Sequence, residues 1–179
     1  MDQLAKSGRY IYAVVPGPGA QVYAFKGMEG KPVYTITKGK VEMGLRVAWD
    51  VPNIFEYFVN THPELRAARD RFLGRNHVPT QEDKIEVGRL FDRVLQEDRE
   101  EHTERVEEIL SPCCFEIRRN PTRSEKEIMS LACLVGREAA DKDFEAAIFE
   151  AARGFDNNFS FDFNGPWAPH NFVDVELRS

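Results

Sequence analysis

The sequence predicts an α+β fold, a ferredoxin-like split βαβ antiparallel sheet with helices on one face, preceded by a small N-terminal β segment. Three observations predict it. Residues 41–49 alternate apolar and polar side chains with the period of a strand. Residues 81–110 carry the start signals of a long helix. From Lys40 onward the segments read strand, helices, strand, turn, strand, helix, strand.

At 179 residues the chain has the size of about one domain. A hydrophobic fraction of 42% with 30% charged residues is that of a soluble globular protein. No run approaches the ~18 apolar residues of a membrane span. The N-terminus Met1-Asp-Gln-Leu-Ala-Lys-Ser7 lacks the apolar core of a signal peptide, so a cytoplasmic location with no membrane partner is expected. Cys113, Cys114 and Cys133 are an odd number in apolar surroundings, which fits reduced thiols. A net charge of −6 without a basic cluster argues against a nucleic-acid partner.

Tyr10–Val15 and Gln21–Phe25 are two short β runs around Pro16-Gly-Pro-Gly19, forming a hairpin or two strands held by something else. A third run spans Pro32–Thr37. So few residues must lean on the rest of the chain, because chains below ~40 residues rarely fold alone. In 41–49, Val41, Met43, Leu45, Val47 and Trp49 point to a core, while Lys40, Glu42, Arg46 and Asp50 point away. A helical run from Pro52 to Phe72 comes next, broken at Thr61-His62-Pro63, since proline disfavours helix at the preceding residue.

Thr80 is the expected N-cap of Gln81–Leu110, with Glu82 and Asp83 suiting the helix dipole. Such a helix is ~45 Å long, longer than any strand here. Its middle, Gln96–Arg105, has no apolar residue and either bends away from the core or stands in solvent. Cys113–Arg119 alternates again, with Phe115 and Ile117 inward. Ile128–Val135 is apolar on both faces and is placed as a central strand, although its Met, Leu and Ala also suit a buried helix turn. A helix is expected over Arg137–Arg153, with Gly154 as its cap.

The C-terminal stretch begins with Phe159, Phe161 and Phe163 alternating with polar residues. That strand is expected to stop at Asn164-Gly165-Pro166, and Phe172–Leu177 to return to β character. Trp167, flanked by Pro166 and Pro169, is read as a core plug whose truncation to alanine costs ~3–5 kcal/mol. The competing reading makes it a partner anchor.

Little here points to catalysis. Gly27-x-x-Gly30-Lys31 lacks phosphate-loop spacing and is read as a turn. Cys113-Cys114 is not a Cys-x-x-Cys pair, and neighbouring strand residues face opposite ways, so buried small residues are expected. His62, His77, His102 and His170 are scattered; Asp98 and His102 share a helical face as a solvated pair. The run Glu97–Glu108 holds seven carboxylates and is either a solvated face or a docking surface for a basic partner. No catalytic, cofactor-binding or metal-binding residue is assigned, and no cofactor is expected.

The segment Asn164-Gly-Pro-Trp-Ala-Pro-His-Asn-Phe-Val173 resembles the Gly-Pro-Trp-Pro-Pro-Tyr-Asn-Phe-type signature near the C-terminus of the gas vesicle protein F/L family (GvpF/GvpL). Tyr10–Val15, Gly27-x-x-Gly-Lys-Pro-Val33, Lys40–Trp49 and Pro63-Glu-Leu-Arg-Ala-Ala-Arg69 match in the same order, so the resemblance covers most of residues 9–177. It implies α+β domains of this kind and a non-enzymatic accessory protein of gas vesicle assembly. Its implied partners are the small hydrophobic shell protein and other accessory proteins, and its implied location the cytoplasm and the gas vesicle. Family members usually carry a helical segment and a Leu-Pro-x-x-Phe-Gly-like motif before the strand at Val41. Here Val33–Ile36 runs almost directly into Lys38-Gly-Lys40. The resemblance therefore implies a truncated N-terminal β segment at 1–38 and a ferredoxin-like domain at 39–179. A ferredoxin-like small-molecule-binding or regulatory domain is the alternative, to be marked by a deep pocket with converging polar groups.

Overall fold

The computed structural model describes residues 12–14, 22–24, 39–72, 78, 80–138, 140 and 142–172. The expected strand Pro32–Thr37, the turn at Gly27–Lys31, His77, and the run after Phe172 lie outside the described residues. Strands β1 (Tyr12–Val14) and β2 (Val22–Ala24) pair antiparallel with Ala13 opposite Tyr23, so the first two β runs do form a hairpin.

The main sheet has four antiparallel strands, β3 (Lys40–Trp49), β4 (Cys114–Asn120), β5 (Glu127–Gly136) and β6 (Phe159–Trp167), in the order β4-β5-β3-β6. This is the split βαβ topology: each crossover leaves room for one strand between the two it joins. β3 pairs with β5 and β6, setting Val41, Met43, Leu45 and Val47 opposite Val135, Cys133, Leu131 and Met129. On its other side Val47 and Trp49 stand opposite Phe161 and Phe159. Directly opposed residues share a face, so the odd-numbered side chains of β3, β5 and β6 build one continuous apolar layer. β5 is buried on both faces along nearly its whole length, as a central strand requires.

The helices cover that layer. α1 (Ile54–Thr61) starts at Asn53, whose side chain accepts the Glu56 N–H, and ends where His62 takes extended geometry ahead of Pro63. α2 (Pro63–Phe72) begins at once. α3 (Gln81–Leu110) opens with a full capping box: Asp83 N–H donates to Thr80 Oγ1 and Thr80 N–H donates to Asp83 Oδ2. α4 (Asp143–Ala152) completes the layer. Trp49, Phe58, Leu65, Leu110, Phe144 and Ile148 are among its largest fully buried side chains. The Phe58 ring sits edge-on to Trp49 and Phe91 and stacks on His62.

The polar middle of α3 neither bends away nor stands free. Arg99 reaches the β4–β5 turn and donates to the carbonyls of Ser124, Glu125 and Glu127 at 2.9–3.2 Å. Thr103 is buried and donates to Arg99 O at 2.6 Å. His102 lies against the rings of Phe155 and Phe159. The helix thus keeps contact by satisfying turn carbonyls where it has no apolar side chain to bury.

Four expectations need correction. α4 starts at Asp143 rather than Arg137, because Arg137 N–H still donates to Gly39 O at 2.9 Å and carries the β3–β5 pairing past Gly136. Phe115 is not inward: a register shift between Cys114 and Glu116 bulges it out, leaving it 64% exposed. Glu42 is not a solvent-facing charge but is buried. β6 does not stop at Asn164 but runs on to Trp167 through a shift in its pairing with Glu42 and Gly44. Phe58 joins three of the packed elements, so Phe58→Ala is expected to cost ~3–5 kcal/mol. Urea unfolding monitored by tryptophan fluorescence checks it, with a lower midpoint and an unchanged slope.

Candidate functional site

The helices leave the opposite face of the sheet to the even-numbered side chains of β3. Among the described residues, the segment that packs on it is the turn His170–Phe172, whose Phe172 is buried on Ala132 and Leu134. The turn is tied down by a buried carboxylate. Glu42 Oε2 accepts the Asn171 N–H at 2.9 Å, and Oε1 accepts Asn171 Nδ2 at 2.6 Å with His170 Nδ1 at 3.3 Å. Arg118 of β4 donates to Asn171 O at 2.5 Å and lies over the Phe172 ring.

Beside this turn is an open depression of ≈ 550 Å³, its floor formed by Gly44, Arg46, Ser130 and Ala132 and its walls by Asn120–Arg123, Asn164, Trp167, His170 and Asn171. Gly44 keeps the floor low, since a Cβ there would stand 2.8 Å from Asn164 Oδ1. A second buried carboxylate, Glu127, holds the far wall: its Oε2 accepts the Arg123 N–H at 2.6 Å. Its Oε1 lies 2.9 Å from Arg46 Nε, an ion-pair contact without hydrogen-bond alignment that leaves both atoms buried and otherwise unpartnered. Burying a carboxylate is costly unless it is paired, so Glu42 and Glu127 act as pins for the two loops that rim the depression.

Trp167 is not a core plug. Its indole is 55% exposed on the rim, with Nε1 donating to Asn164 Oδ1 at 2.8 Å. Gly165 permits this course: its φ of +129° suits glycine, and a Cβ there would meet Glu42 O at 2.9 Å. The buried aromatic of the motif is Phe172 instead.

The remaining sequence candidates scatter over the helix side. His62 Nε2 pairs with Asp98 Oδ1 at 3.2 Å, joining the α1–α2 break to α3, so Asp98 serves His62 rather than forming a solvated pair with His102. Burial between Phe155 and Phe159 lowers the His102 pKa from its ordinary 6.5. Cys113 lies in a 3-10 turn, not a strand, and its Sγ approaches that of Cys114 to 3.8 Å, so the two do not face opposite ways. Burial, with Cys114 alongside, pushes the Cys113 thiol up to about 12, and a hydrogen bond with Cys133 together with burial raises Cys114 further. Both stay protonated at neutral pH, which makes them poor nucleophiles and poor metal ligands. Among the described residues no group of three or more His, Cys, Asp and Glu is arranged to hold a metal ion.

The acidic run divides. Asp98 pairs with His62, while Glu100 and Glu107 grip Arg119 of β4 at 2.7 Å. Glu97, Glu101, Glu104 and Glu108 are exposed at helical spacing. The residues that shape the sheet face, Glu42, Arg46, Glu127 and Asn171, carry no mark of a shared site in the sequence. Each looks like an ordinary solvent-facing residue in the sequence, and only the pairing register brings them together.

Comparison with known proteins places this arrangement. A family model described as gas vesicle synthesis protein GvpL/GvpF matches residues 37–174. Gas vesicle protein F of Dolichospermum flosaquae is 22% identical over 138 residues, covering 77% of this chain and 55% of that protein. Gas vesicle protein F of Haloferax mediterranei is 34% identical over 58 residues, covering 32% of this chain and 27% of that protein. The chain thus spans only part of the length of these relatives. The crystal structure of GvpF from Anabaena superposes with a TM-score of 0.71 at 20% identity, covering 81% of this chain and 58% of that one. GvpF from Microcystis aeruginosa gives 0.64 at 18% identity, covering 80% and 58%. These two likenesses concern the fold.

Two outcomes are expected from this geometry. Trp167→Ala is expected to cost about 1 kcal/mol or less in thermal or urea unfolding, since it gives up one exposed hydrogen bond and no cavity. His102 gains its proton at higher pH in the unfolded chain than in the folded one, so its contribution holds above 6.5 and is lost as pH falls from there toward the folded value. His102→Phe keeps the ring packing and removes the titration. Its stability is therefore expected to fall less steeply below pH 6.5 than that of the parent chain, in unfolding curves taken across that range.

Proposed function

The chain belongs to the gas vesicle GvpL/GvpF family, and from that we propose that it is a non-enzymatic accessory protein of gas vesicle assembly, binding the small hydrophobic shell protein and other accessory proteins. The observation that carries the reading is the family match itself, which spans the whole four-stranded domain from before β3 to beyond Phe172. Its surface supports a role in association. Phe115 on β4, Phe149 on α4, and Phe163 and Trp167 on β6 stand exposed, and aromatic side chains are enriched in contact surfaces relative to the rest of a protein's surface. Cys113 and Cys114 are held protonated, and the buried Glu42 and Glu127 serve to hold loops in place. No helix among the described residues is long and apolar enough to cross a membrane, in keeping with a protein that works in the cytoplasm and at the vesicle.

The depression beside Trp167 favours a second reading, a small-molecule-binding or regulatory domain, because ≈ 550 Å³ lies in the range of ligand cavities. It is open and shared between charged and apolar groups rather than enclosed, which weighs toward the assembly reading. Co-purification from cells making the shell protein and the other vesicle accessory proteins separates the two. The chain is expected to retain the shell protein. Retention of neither the shell protein nor any accessory protein overturns the assembly reading and leaves the ligand-binding one.

A further inference from the structure

The two outer strands of the sheet end it in different ways. β4 carries Glu116, Arg118 and Arg119 and the bulge at Phe115, devices that discourage a further strand from pairing. β6 has none of these between Phe159 and Phe163: one charge, Asp162, and an unbroken register against Trp49–Leu45. Among the described residues no strand pairs with its outer side.

The direction of its backbone groups is set by the register. Asp50 N–H donates to Asn158 O at 2.6 Å, and an antiparallel ladder alternates bonded and non-bonded pairs from there. Ser160 and Asp162 therefore turn their N–H and C=O toward β3, and Phe161 and Phe163 turn theirs outward. Phe163 is 37% exposed at this edge. Outward-facing backbone groups on an unguarded strand are a template for another strand.

We propose that this edge is a contact between two copies of the chain, their β6 strands pairing antiparallel about a two-fold axis at Phe161. The sequence of the strand is complementary to itself in that register. Phe161 faces Phe161 through two outward N–H to C=O bonds, Phe159 faces Phe163, and Ser160 faces Asp162, hydroxyl to carboxylate. The phenylalanines of both copies fall on one face, continuing the apolar layer beneath the helices. Centring the pair on Asp162 instead would bond Phe161 to Phe163 through outward groups but would set two like charges directly opposite each other. The register about Phe161 brings outward backbone groups and matched side chains together without opposing like charges.

Sedimentation equilibrium of the full chain over a concentration series tests this with two variants of exposed Ser160. In the proposed register Ser160→Asp sets carboxylate against Asp162 twice, and Ser160→Lys sets an ammonium against it twice. Opposed cross-strand charges acting in two symmetric pairs correspond to roughly 2- to 30-fold in dissociation constant. Weaker dimerisation of Ser160→Asp and tighter dimerisation of Ser160→Lys are expected, with the Phe161 amide protected from hydrogen exchange only at dimer-forming concentrations. A monomer at the highest soluble concentration overturns the proposal. A dimer that ignores both variants, or shifts the same way with both, overturns it equally. So does a Phe161 amide protected at every concentration, which would mean that another segment of the same chain holds the edge.

Discussion

Strand β3 is paired on both sides and can stack helices on only one face, and most of the domain depends on that constraint. Its partners β5 and β6 must present apolar side chains in the same register, so Cys133 and Leu131 on one side and Phe161 on the other share the layer set by Met43, Leu45 and Val47. β4 joins through β5 and contributes Ile117 at the margin. The helices then have a single surface to cover. There remains a second sheet face that must be closed by something other than a helix, and here the turn at His170–Phe172 does so.

Covering that layer poses a length problem, solved by polar contacts. α3 is 30 residues long and carries a stretch without a single apolar side chain. Had this stretch only faced solvent, the carbonyls of the β4–β5 turn would be left to water and the turn would not be tied to the helix. Arg99 instead meets three of them, and Arg119 returns the contact by gripping Glu100 and Glu107 from β4. The turn and the helix thus hold each other through charge-assisted bonds, which are stronger than neutral ones. The same solution recurs on the other face, where Glu42 and Glu127 sit almost wholly inside and bond backbone N–H groups of loops.

Features governed by local chemistry were legible in the sequence. The alternation of Val41–Trp49 gave β3, the Thr80 cap gave the start of α3, and Pro63 gave the break between α1 and α2. The split βαβ class came from the order of strand and helix segments. Features that depend on which strands meet were not legible. Phe115 is apolar in an alternating run, and nothing before it signals the bulge that turns it out. Arg137–Lys142 has a composition that suits a helix, but the ladder claims its first residue. Trp167 between prolines has the composition of a plug, yet the strand extends through Gly165 and carries the indole to the rim. Glu42 reads as solvent-facing because Asn171, its partner, is 129 residues away.

The family signature at the C-terminus divides in the same way. Asn164, Gly165, Pro166, Trp167, Asn171 and Phe172 are close in sequence but do separate things. Gly165 lets the strand pass Glu42 without a side chain, and Asn164 orients the indole. Asn171 satisfies the buried carboxylate, and Phe172 caps Ala132 and Leu134. Most of these residues are accounted for by the single task of folding the chain back from the sheet edge onto its uncovered face. Trp167 is not, because its ring contributes little to that closure and stands in solvent beside the depression. Its ring is held in one orientation by the bond to Asn164, so the closure that accounts for the other residues of the motif leaves an ordered aromatic face exposed on the rim.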